Sequence, residues 1–173
     1  GIETAGSLNT LFVDKTGTIT KGQFKPKFFI SGDETHYARY NDIPTVLREL
    51  LVFSILENTS SVISANGMVE GGNTSGRALI AFVDKKDIIE KAGVGVETRK
   101  HILFTSARKF SATEVFAEQP VPGLGSQEVT LVKGAPEVIL NHCDSFYAED
   151  GQHRPIDIEA YSHELDRVSE EGL

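Results

Sequence analysis

The chain has no tryptophan, one cysteine and one methionine in 173 residues. A lone Cys143 excludes an internal disulfide framework and fits a reducing compartment, so burial and hydrogen bonding have to hold the core. Long apolar runs are missing as well. The longest apolar patches, around Leu50–Leu56 and Leu79–Val83, fall far short of the roughly 20 residues a membrane helix needs. There is also no surplus of positive charge. Lys and Arg number 17 against 25 Asp and Glu, for a net charge of −8. Non-specific binding to nucleic acid needs a basic face, so no nucleic-acid partner is expected.

What is present is ordinary for a folded domain: 39% hydrophobic and 24% charged residues, in a length that can bury one good core plus an extra piece. The charge is unevenly spread. Residues 144–173 carry nine acids against Arg154 and Arg167, so the acidity belongs to this tail, and the rest of the chain is close to neutral. An anionic ligand is therefore not excluded from the larger part.

Periodicity sketches the elements. Residues 8–14 read as a core strand, and Lys21–Lys27, with Gly22 and Pro26, as a linker. Phe28-Phe29-Ile30 starts a second unit as a strand. Apolar residues at helical spacing predict an amphipathic helix over Pro44–Glu57. Ser60–Gly76 is polar and Gly-rich and reads as loop, after which Asn73 or Thr74 caps a helix bearing Ala78, Leu79, Phe82 and Val83. Strands are expected at Ile102–Phe104, Ala112–Phe116 and Val129–Val132, with a turn over Pro120–Gly125. Gly134 ends the last strand and Pro136 opens a helix. Ile158, Tyr161, Leu165 and Val168 mark an acidic amphipathic helix. Hairpin-like connections outnumber helical crossovers, which favours an α+β fold with an antiparallel β-sheet flanked by helices from about Phe28 onward.

Three stretches carry chemistry. The first is Asp14-Lys15-Thr16-Gly17-Thr18-Ile19-Thr20, behind the apolar run Leu11-Phe12-Val13. A carboxylate at the carboxyl end of a buried strand, followed by Lys, two Thr and a Gly turn, can act as a nucleophile toward a phosphoryl group. The second is Phe104-Thr105-Ser106-Ala107-Arg108-Lys109-Phe110-Ser111, and the third Leu131-Val132-Lys133-Gly134-Ala135-Pro136-Glu137. A nucleotide needs an aromatic face for its base and cations for its phosphates. Phe104 offers the first, and Lys109 and Lys133 offer mobile point charges. Gly134 lets backbone approach a ligand closely. Taken alone, Phe104 reads better as a core strand residue than as a ligand contact, and Arg108 and Lys109 better as solvated charges. Their order behind the first motif favours the ligand reading.

The heptapeptide resembles the signature of P-type ATPases, relatives of the haloacid-dehalogenase-like phosphotransferases. The resemblance implies that Asp14 is phosphorylated by ATP and then hydrolysed in each ion-transport cycle. It also implies that Lys15 belongs to the catalytic motif, that Thr16 lends its backbone carbonyl to Mg²⁺ beside Asp14, and that Thr18 holds the phosphate. In this family a nucleotide-binding domain follows the phosphorylation loop, and Lys-Gly-Ala-Pro-Glu is similar to its light-cation branch. By position, Phe104 then stacks on adenine, Lys109 and Lys133 face the nucleotide, and Ser75, Ser106, Arg108 and Gly134 join the site. Two positions depart from the pattern. Gly76 stands where many members have a Glu near the adenine amino group, and Ser106 where many have an Arg. Arg108 is the nearby residue able to compensate, and weak ATP binding with modest base selectivity is the expectation.

The implied division is residues 1–24 as a fragment of the phosphorylation domain with its hinge, and 25–173 as the nucleotide-binding domain with a return helix. Residues 1–24 would then supply a short strand of an incomplete haloacid-dehalogenase-like domain. The implied setting is the cytoplasmic portion of an integral membrane protein. Its ligands are ATP and Mg²⁺, its partners the remaining domains of the same polypeptide, and its state monomeric. No Gly-Asp-Gly-x-x-Asn-Asp stretch occurs among these residues, so self-phosphorylation at Asp14 is not expected from them alone. Two other readings stay open. One is a soluble phosphatase or phosphotransferase of the haloacid-dehalogenase type, which would generally carry an Asp where Thr16 stands. The other is a non-catalytic binding module that uses the acidic tail.

Overall fold

The computed structural model describes residues 21, 22, 24–64, 66–91, 95–121 and 123–171. The strand expected at 8–14 and the Asp14–Thr20 motif lie outside the described residues. The architecture is mixed α/β with small antiparallel sheets, and every pairing among the described residues is antiparallel.

The chain enters through β1 (Phe29–Ile30) and β2 (His36–Tyr37), a two-residue hairpin. It passes a 3-10 turn at Tyr40–Asp42 and runs into α1 (Thr45–Glu57), with Pro44 at the N-cap. A second hairpin follows, β3 (Ser61–Ile63) with β4 (Val69–Gly71). Next come α2 (Thr74–Phe82) and α3 (Lys85–Lys91). The largest sheet is β5 (Val96–Ile102), β6 (Phe110–Ala117) and β7 (Glu128–Gly134), with β6 in the middle. After it come the short α4 (Pro136–Ile139), a 3-10 turn at Leu140–His142, a third hairpin of β8 (Ser145–Tyr147) and β9 (His153–Pro155), and α5 (Ile158–Glu170).

The core is built on α1. Its inward residues Leu47, Val52, Ile55 and Leu56 pack with Ile80 of α2, Ile88 of α3, and Tyr40 and Ile43 from the approach to the helix. Burying a side chain such as Val52, wholly removed from solvent, contributes about 1.5–3 kcal/mol. The middle strand supplies Ala112, Val115 and Ala117 to the interior, and β7 supplies Leu131. Asn73 caps α2 as expected, its Oδ1 accepting the Gly76 N–H at 2.7 Å. Asp157 caps α5 in the same way, accepting from Ala160 N at 3.0 Å.

Two expectations need correction. The Ser60–Gly76 stretch is not all loop, because it holds the β3–β4 hairpin. Its turn closes through Ser64, whose N–H donates to the Met68 carbonyl and whose carbonyl accepts from Gly67, a residue at φ 75° where glycine is at ease. The strand expected through Phe104 stops at Ile102, and Leu103 and Phe104 stand out of the sheet with 69% and 57% of their surface exposed. Beyond β2, a helix and a hairpin have no counterpart in the sequence reading. They are α3, whose seven residues are too few for a periodicity signal, and the β8–β9 hairpin within the acidic tail.

Candidate functional site

One end of the β5–β6–β7 sheet gathers the candidate residues. The β5–β6 connection, residues 103–109, is a tight loop in which the Thr105 carbonyl accepts both Arg108 N–H (3.1 Å) and Lys109 N–H (2.7 Å). Lys109 takes a left-handed φ of 61° to re-enter the sheet. Beside it, β7 ends at Gly134, paired with Phe110. A Cβ at Gly134 would lie 2.4 Å from the Lys109 carbonyl oxygen and 2.5 Å from Phe110 Cβ. The close approach that Gly134 permits is thus made by the neighbouring strand, and the Ala135 N–H seals it by donating to the Lys109 carbonyl at 2.9 Å.

Next to this end lies an open cavity of about 710 Å³. Phe104 of the hairpin loop forms one aromatic wall, with Ser111, Lys133 and Gly134 of the sheet beside it. The cap and N-terminal half of α2 supply Asn73, Ser75, Ala78 and Leu79. The remaining wall comes from the incoming segment, through Phe24, Lys25, Pro26 and Phe28. Among the described residues its lining holds two lysines and no carboxylate, in a chain of net charge −8. This combination accepts an anion joined to a flat apolar group.

Lys133 is held in place. Its ammonium donates to the Asn58 carbonyl at 2.8 Å, at the C-terminal end of α1. The half-buried position pushes its pKa below the ordinary lysine value through desolvation. A second cavity of about 210 Å³ sits behind it, largely apolar and lined by Leu51 and Ile55 of α1, by Leu131, and by Gly76. Gly76 is buried, and a Cβ there would meet Asn73 Oδ1 at 3.1 Å.

Of the residues selected from the sequence, the fold brings Ser75, Phe104, Lys133 and Gly134 to one cavity. Lys109 does not line it. Its ammonium lies 3.4 Å from Glu137 Oε1 on the surface, and the Glu137 carboxyl is held below the usual range by its own backbone N–H, with Lys109 adding to the effect. Arg108 is folded back on its own loop, donating to the Leu103 carbonyl at 2.9 Å and lying over the Phe110 ring. Ser106 is exposed on the same turn. Asp14, Lys15, Thr16 and Thr18 lie outside the described residues. The sequence reading placed Phe24 and Lys25 in a linker and Asn73 only in a cap. The one signal that sets Phe24 apart is an aromatic residue in a short, otherwise basic connection.

Among the described residues, no group of three or more His, Cys, Asp or Glu is placed to hold a metal ion. No helix among them is long and apolar enough to cross a membrane.

Residues 46–173 match the family model described as P-type ATPase, cytoplasmic domain N. The chain therefore belongs to the P-type ATPase family and represents its nucleotide-binding domain. It is similar to a cation-transporting ATPase of Synechocystis, at 26% identity over 99% of the chain and 21% of that protein. It is also similar to a calcium-transporting ATPase of Yarrowia lipolytica, at 27% over 90% of the chain and 18% of the relative. A calcium-transporting ATPase of Lactococcus lactis is 29% identical over 86% of the chain and 16% of its own length. The chain spans about a fifth of the length of the curated relatives it matches.

Proposed function

We propose that the 710 Å³ cavity is the ATP site of a cation-transporting P-type ATPase, and that residues 25–173 form the domain that delivers ATP to Asp14. The observation that carries this reading is the cavity lining, which among the described residues holds an exposed Phe104 ring, two lysines and no Asp or Glu. Phe104 takes the adenine face and Lys133 the phosphates. Ser75 adds an exposed hydroxyl, while the buried Ser111 hydroxyl donates to the Lys133 carbonyl at 3.3 Å and steadies that strand. Lys109 and Arg108 serve from the adjoining loop, where each is exposed enough to turn toward an incoming polyphosphate.

In the intact protein, residues 1–24 carry the acceptor Asp14 with Lys15, Thr16 and Thr18, and the Lys21–Lys27 segment is the hinge. Closure places the γ-phosphate in line with the Asp14 carboxylate, so that catalysis is mainly positioning. Mg²⁺ arriving with the nucleotide would neutralise phosphate charge, with Asp14 and the Thr16 carbonyl as its protein ligands. The cycle drives cation movement across a membrane that holds the rest of the polypeptide. The names of the calcium-transporting relatives, with Lys133-Gly134-Ala135-Pro136-Glu137, favour a light cation as cargo.

Gly76 and Ser106 remove two contacts that many family members make, so ATP binding is weak and only modestly selective for the base. Calorimetric titration tests the reading. The 173-residue chain binds ATP, and Phe104→Ala and Lys133→Ala each weaken binding without unfolding the domain. Tight, strongly adenine-selective binding would remove the argument from Gly76 and Ser106, and no binding would remove the site. With radiolabelled ATP and Mg²⁺ the chain acquires no label that Asp14→Asn abolishes, because the acids of the Gly-Asp-Gly-x-x-Asn-Asp motif are not among its residues.

A further inference from the structure

The segment that enters the domain is no mere spacer. Phe24 lies in no helix or strand, keeps 57% of its surface exposed, and lines the same cavity as Phe104, which is exposed to the same degree. Lys25, next to it, joins Lys133 as a cation in the lining among the described residues. A polar connection gains nothing in water from an aromatic side chain, and the Phe24 ring is not covered by the core. Two half-exposed aromatic rings and two lysines in the lining of one cavity match the two halves of a nucleotide.

Resting on the ATP reading above, we propose that Phe24 and Lys25 are ligand-binding residues of this site. Phe24 offers a second apolar face to the base, and Lys25 a second cation to the phosphate chain. Phe24 is ten positions from Asp14 in the sequence. Base recognition would be shared between the hairpin loop and the hinge.

The chain contains no tryptophan, so Phe24→Trp introduces its sole indole at the point in question. Replacing a largely exposed side chain outside any regular element leaves the fold intact. ATP and adenosine both change the indole emission, whereas tripolyphosphate does not. Phe24→Ala weakens ATP binding by about 2- to 10-fold, the range expected for one lost aromatic contact. Lys25→Ala weakens ATP and tripolyphosphate and leaves adenosine unchanged. The inference fails if the unmodified chain binds ATP in a Lys133-dependent way while the indole stays silent and Phe24→Ala retains full affinity. In that case the ATP site itself stands. Absence of ATP binding by the unmodified chain removes both.

Discussion

The Lys133 ammonium lies 2.8 Å from the carbonyl oxygen of Asn58, the residue that ends α1. Carbonyls at a helix C-terminus lack intrahelical partners and carry partial negative charge, so a cation is favoured there. Asn58 itself is buried, and both polar atoms of its side chain are hydrogen-bonded. Its Nδ2 donates to the Leu131 carbonyl at 3.2 Å, and its Oδ1 accepts from Thr113 Oγ1 at 2.8 Å. One residue therefore ties α1 to β6, to β7 and to the cavity lysine. Thr113 has a single hydroxyl proton and gives it to Asn58. The His101 Nδ1 found 2.8 Å from the same oxygen must accordingly be the donor in that contact.

Thr113→Val keeps the shape and removes the hydroxyl. It leaves Asn58 Oδ1 buried without its donor, a loss of about 1–3 kcal/mol. Urea unfolding should show a lower midpoint at unchanged slope. An unchanged midpoint would mean that Asn58 finds another partner and that the network is not a structural tie.

Lys133 makes stability depend on alkaline pH. Its folded pKa is lowered by desolvation, so between that value and the ordinary lysine value the unfolded chain holds more protons than the folded one. Stability from this group therefore rises with pH across that window, and the cost of burying the charge is fully present below it. Lys133→Met abolishes this contribution. The difference in urea midpoint between the two proteins should change with pH in the alkaline range, and a constant difference would contradict the assignment. ATP affinity of the unmodified chain should fall in the same window as the ammonium loses its proton.

Gly134→Ala tests whether the glycine serves the fold before it serves a ligand. The added Cβ would lie 2.4 Å from backbone oxygen of Lys109, which no rotamer can relieve. Overpacking of this kind costs about 1–3 kcal/mol and displaces the hairpin that carries Phe104. Both thermal stability and ATP affinity should drop. Loss of affinity at unchanged stability would point instead to direct contact between Gly134 and the ligand.

Long elements were legible in the sequence because periodicity accumulates over many residues. The 13-residue α1 and α5 and the strands β6 and β7 fall where spacing put them. Phe104 was legible as a residue but not as a loop position. What ends its strand is a turn that places Lys109 in the left-handed region, where composition gives little signal. The hairpins β3–β4 and β8–β9 rest on strands of three residues each, too short for alternation to register. Lys133 was chosen for its charge, while its anchor on Asn58 joins positions 75 apart and leaves no local trace. The part of the site formed by Phe24 and Lys25 depends on chain entry, which only the folded backbone reveals.

The most direct measurement is an ATP titration of the isotopically labelled chain followed by amide chemical shifts. The account predicts perturbations centred on Phe104 and Lys133, extending to Ser75 and Ser111 at the cavity and to Lys109 on the adjoining loop, and diminished by Lys133→Ala. Shifts that cluster elsewhere, or none at millimolar ATP, would contradict it.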